Sequence, residues 1–97
     1  MAYIQQSGTG TTARVPKGKF EAETSSKELL KENPDRIELI ISNPGTKDVW
    51  LSLGTTAVAE EGIYLKSGGG SWVSNGYSGP VFCITGSEKS KLAYAEI

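Results

Sequence analysis

Residues able to carry chemistry are few in this sequence, and their spacing does not bring them together. There is no histidine, so the side chain that most often acts as a general base near neutral pH, and most zinc sites with it, is missing. The single cysteine, Cys83, lies in the apolar run Val81-Phe82-Cys83-Ile84. A thiol there is read as a buried small hydrophobe, with no cation beside it to draw out the nucleophilic thiolate. Glu60 and Glu61 stand side by side before Gly62. Acid–base pairs and cation sites need carboxylates that converge, whereas neighbours on a loop diverge into solvent. Ser67-Gly68-Gly69-Gly70-Ser71 has the glycine content of a phosphate cradle but lacks its lysine and its following helix, so it reads as a flexible strand connection. No catalytic residue, metal ligand or cofactor site is predicted, and the chain is expected to work by binding, not as an enzyme.

Aromatic residues carry that expectation. Trp50 falls on the opposite face of its segment from Val49, Leu51 and Leu53, and Trp72 and Tyr77 adjoin glycine-rich loops. Exposed tryptophan and tyrosine stack on sugar rings or anchor protein interfaces; the same rings also fit a second buried layer. Tyr3 and Ile4 are the only sizeable apolar residues before Val15 and are the candidate anchors of the N-terminal segment. The candidate partner-binding residues are therefore Tyr3, Ile4, Trp50, Trp72 and Tyr77.

The elements that would position these rings are strands. Ile37, Leu39 and Ile41 alternate onto one face, as do Val49, Leu51 and Leu53, which marks strands with one side toward a core. Asn43-Pro44-Gly45-Thr46 between them fits a type II turn, proline fixing φ at its second position and glycine taking the positive φ at its third; a hairpin is predicted. Lys19 to Thr24 alternates through Phe20 and Ala22. Short strands are also predicted at Ile63-Tyr64-Leu65, Ser71-Trp72-Val73, Val81 to Thr85 and Leu92 to Ile97, separated by glycine-bearing turns. Ser25-Ser26-Lys27-Glu28 resembles a capping box, so residues 25–32 fit either a short helix ended by Asn33-Pro34 or an irregular connection. The fold class is all-β: a small antiparallel sandwich or barrel, Ig-like or jelly-roll-like, over residues 17–97. Residues 1–16, with Ser7-Gly8-Thr9-Gly10-Thr11-Thr12, read as an extended arm, flexible or docked on a partner.

Composition narrows the partners. Ninety-seven residues make one domain, and twelve glycines and four prolines dilute its apolar content, so a surface on another copy is expected to complete its burial. Ten Lys plus Arg offset eleven Asp plus Glu, and the signs interleave. That pattern lacks the basic stripe of a nucleic-acid binder and the charge surrounding a base-stacking platform. No apolar run approaches the ~20 residues of a membrane span, and the N-terminus has no signal-peptide pattern. One cysteine forms no internal disulfide and suits synthesis in a reducing compartment.

Residues 30–97 also resemble a known group. The elements are Asn33-Pro34-Asp35-Arg36, then Ile40-Ile41-Ser42-Asn43 with Gly45, then Val49-Trp50-Leu51-Ser52-Leu53-Gly54. They continue through Gly62-Ile63-Tyr64-Leu65, the glycine run before Trp72, Tyr77-Ser78-Gly79-Pro80-Val81, and Glu96. In order and spacing this resembles small β-sandwich structural proteins of tailed-bacteriophage virions, of the head-decoration or head-fibre kind. The resemblance implies a non-enzymatic virion protein, made in the host cytoplasm, commonly trimeric, that binds the major capsid protein or another virion protein. A carbohydrate- or receptor-binding module using the exposed aromatics is the alternative from the residues themselves.

Overall fold

In the computed structural model, residues 17–97 are described; the arm assigned to residues 1–16, with Tyr3 and Ile4, lies outside them. The eight strands are β1 (Lys17–Ala22), β2 (Lys27–Leu30), β3 (Glu38–Asn43), β4 (Val49–Leu53), β5 (Ile63–Leu65), β6 (Gly70–Asn75), β7 (Val81–Thr85) and β8 (Ser90–Glu96). They form two four-stranded antiparallel sheets, β1-β8-β3-β6 and β2-β7-β4-β5. First pairs with last, second with seventh, third with sixth and fourth with fifth. Nested pairing of this kind, split between two facing sheets, is the jelly-roll arrangement.

Alternation decides what lies between the sheets. Leu39, Ile41, Leu92 and Ala22 come inward from one sheet, and Val49, Leu51, Leu65, Val81 and Cys83 from the other. Phe20, Trp72, Tyr77 and Tyr94 pack at the margin of this core.

Four expectations are corrected. β3 and β4 are not a hairpin, because they belong to different sheets and the chain between them crosses from one layer to the other. Its turn is not type II: Gly45 does not take a left-handed φ. The glycine is needed for clearance instead, since a Cβ there would collide with the Ser90 hydroxyl. Residues 25–32 form neither a helix nor an irregular connection but contain β2, on the open edge of β7. A bulge between Glu28 and Leu30 turns consecutive side chains, Leu29 and Leu30, both inward at 6% and 7% exposure. Within the stretch that resembles a capping box, the Ser26 hydroxyl instead accepts a 2.8 Å hydrogen bond from the Ala57 N–H.

Strand ends account for the third correction. Ile37 and Leu53 have core parity, yet Ile37 precedes β3 and is 71% exposed, and Leu53 closes β4 at 37%. Near an end of the sandwich, inward parity no longer guarantees an opposing sheet. The fourth concerns the glycine run, which is not a loose tether. Gly68 N–H donates to the Gly45 carbonyl, Gly69 N–H to that of Asn43 and Gly70 N–H to that of Lys66, at 2.8–2.9 Å.

Candidate functional site

Trp50 is the second residue of β4, with its side chain on the outer side of β2-β7-β4-β5. Its cross-strand partners are Tyr64 of β5 on one side and Ile84 of β7 on the other; Phe82 stands opposite Ser52. An outward face of an antiparallel sheet is ordinarily polar, so a row of Tyr64, Trp50 and Ile84 is a departure. The Trp50 and Tyr64 rings lie 5.6 Å apart at 34°, a tilted stack. Beyond β7, Gly86 gives the indole room: a Cβ there would approach its benzo ring to 3.3 Å.

Beside the indole opens a cleft of about 360 Å³ lined by Lys47, Asp48, Trp50, Glu60, Ser67 and Ser87, with Thr46 and Gly86. Its polar groups are held in place. The Ser67 N–H donates to Asp48 Oδ1 at 2.9 Å, and the Tyr64 hydroxyl lies near the same carboxylate. The Ser67 backbone bond, reinforced by Tyr64, holds the Asp48 pKa below its ordinary value against the opposing effect of desolvation. Desolvation, and then the Asp48 carboxylate, push the Tyr64 phenol above its ordinary value. Both effects preserve a charged acceptor beside a neutral donor. Lys47 leans toward Glu88, with Nζ 3.3 Å from its carboxylate.

Among the described residues, the candidate aromatics Trp50, Trp72 and Tyr77 do not converge. Trp72 lies on β6, in the other sheet, and points into the margin of the core opposite Ile41. Tyr77 also packs against the core, and its hydroxyl donates to the Pro80 carbonyl at 2.7 Å. Among the described candidates only Trp50 stands on an outer face, and its neighbour there is Tyr64, a residue the sequence marks only as part of a short strand. A signal for this face was present in Val81-Phe82-Cys83-Ile84, which is apolar at both parities and so has to cover something on each side. Cys83 is fully buried, and desolvation raises its thiol to about 12. Glu60 and Glu61 are exposed, and Glu60 has a left-handed φ of 71°. No group of three or more potential metal ligands occurs among the described residues.

The outer side of the second sheet, β1-β8-β3-β6, has an apolar centre as well. Ile40 lies between its cross-strand partners Val73 and Ala95, with Ala93 diagonally beyond. Ile40 and Val73 are 36% and 52% exposed. Lys17, Lys19, Glu38, Ser71 and Asn75 share this face by parity and surround that centre. No protein-family profile, curated protein or solved structure matches the chain.

Proposed function

We propose that this chain is a non-enzymatic structural protein of a tailed-bacteriophage virion, a head-decoration or head-fibre component that binds the shell as a small oligomer, most simply a trimer. The observation that carries the reading is the outer face of β1-β8-β3-β6. Ile40, Val73, Ala93 and Ala95 form an apolar centre with a polar rim of Lys17, Lys19, Glu38, Ser71 and Asn75. An apolar centre within a polar rim is the anatomy of a protein interface, and a second copy of the chain is its occupant. The order of motifs over residues 30–97 supports the virion assignment. The jelly-roll arrangement is compatible with it, since viral shell domains use that fold, although a fold alone does not specify a function. Oligomerisation would let contacts with a repeating shell reinforce one another even where each is weak.

Sedimentation tests both parts. The purified chain is run alone at micromolar concentration and then pelleted with shells of the parent particle that lack it. The expected result is a trimer that co-pellets, while Ile40→Glu, folded by circular dichroism, runs as a monomer and pellets poorly. A wild-type monomer, or an Ile40→Glu chain that assembles and attaches as before, overturns the proposal.

A further inference from the structure

The cleft beside Trp50 lies on the sheet opposite the proposed assembly face, so a chain docked through β1-β8-β3-β6 would leave it open. We propose that this cleft is a saccharide-binding subsite, in which the Trp50 indole stacks on the apolar face of a pyranose ring while Asp48 and Glu60 accept hydrogen bonds from its hydroxyls.

The lining selects among ligand classes. At about 360 Å³ the cleft falls at the small end of ligand sites, which run from ~300 to ~1,000 Å³. Two carboxylates oppose an anion, and the Lys47 ammonium that would offset them is directed to Glu88. A hard cation needs about six or more oxygen ligands, and among the described residues no such cluster forms. A quaternary ammonium favours an aromatic cage. Here the cleft has one aromatic wall, because Tyr64 lies beside Trp50 at a 34° tilt and does not line the cleft. What remains is a neutral ligand with one apolar face and several hydroxyl donors. Asp48 suits such a ligand because its Oδ1 is already oriented by the Ser67 N–H at 2.9 Å; an acceptor fixed before binding loses little entropy on binding. Ser67 and Ser87 supply further polar groups along the wall.

The test is nitrogen-15 NMR of the two indole N–H groups during titration with glucose, galactose and chitotriose, each to about 50 mM. A single stacked ring with two or three hydrogen bonds corresponds to a dissociation constant on the order of 1 mM. The expected result is a saturable shift of the Trp50 indole signal with at least one sugar, while Trp72, at the core margin, stays in place. Asp48→Asn keeps an acceptor for the Ser67 N–H but loses the charge, and should weaken binding about tenfold. Trp50→Ala should abolish binding yet still assemble and co-pellet with shells. No saturable Trp50 shift with any of the three sugars, equal shifts at both indoles, or full affinity in Asp48→Asn each overturns the proposal. Shell attachment is read separately, so failure here leaves the assembly reading standing, and the reverse holds too.

Discussion

Arg36 and Glu96, sixty residues apart in sequence, meet at 2.8 Å between Nε and a carboxylate oxygen. The guanidinium is buried, and its remaining nitrogens donate to the carbonyls of Lys31 and Gly79 at 2.8 Å and of Tyr77 at 3.3 Å. One planar fork thus ties the segment after β2, the loop before β7 and the end of β8 together.

Removing that fork strands several buried acceptors at once. Arg36→Met should lower stability by about 3–5 kcal/mol, the usual cost of breaking a buried pair. Glu96→Gln, which retains an acceptor and leaves the backbone bonds intact, should cost about 1 kcal/mol. Urea unfolding measures both; equal midpoints for the two variants would show that the backbone bonds contribute nothing.

Asn43 is fully buried with all of its hydrogen-bonding capacity in use. Nδ2 donates to the carbonyls of Lys47 and Leu65 at 2.8 and 2.9 Å, and Oδ1 accepts from the Gly45 N–H and the Ser90 hydroxyl at 3.2 and 2.9 Å. Asn43→Asp sets an acceptor against two carbonyls and should cost about 3 kcal/mol or more, whereas Ser90→Ala should cost about 1 kcal/mol. Thermal melts of the two variants decide it, and an Asn43→Asp chain melting with the wild type would refute this account.

Cys83 should be inert to a thiol reagent in the native protein and react stoichiometrically once unfolded. Its folded pKa of about 12 exceeds the ordinary 9.0 because of desolvation, so above pH 9 the unfolded state releases a proton that the folded state keeps. The associated stability is complete below about pH 9 and is lost as pH rises toward about 12. Between about pH 8 and about pH 10.5, wild type should lose about 2 kcal/mol relative to Cys83→Ala. Parallel pH curves for the two proteins would contradict the burial of this thiol.

Gly62 and Gly68 both have left-handed φ, at 91° and 80°, but differ in surroundings. A Cβ on Gly62 would strike the Leu51 carbonyl oxygen, whereas one on Gly68 meets nothing within 4 Å. Gly68→Ala should therefore cost about 1 kcal/mol for its dihedral alone, and Gly62→Ala at least about 2 kcal/mol more. Denaturant midpoints compare them directly, and equal losses would place the whole effect in φ.

Local pattern was enough to find most strands. Alternation located β3, β4 and β7 to within a residue or two and predicted the burial of Cys83, because the side-chain period of a strand is a property of the backbone alone. It also excluded a histidine-based site, since composition needs no fold. Pairing was decided only in three dimensions. Asn43-Pro44-Gly45 has the residues of a hairpin turn, yet β3 bonds to β6 and β8, and β4 to β5 and β7. A turn motif constrains four residues, while the ladder is chosen by burial summed over whole strands. The same holds at the site. Parity assigned Trp50 to the face opposite Val49 and Leu51, with Asp48 on its own side, but Tyr64 comes beside it only through β5, and Glu60, Gly86 and Ser87 from later connections. That neighbourhood exists only because β4 pairs with β5 on one side and β7 on the other, which sets Tyr64 and Ile84 across from Trp50 on one outer face.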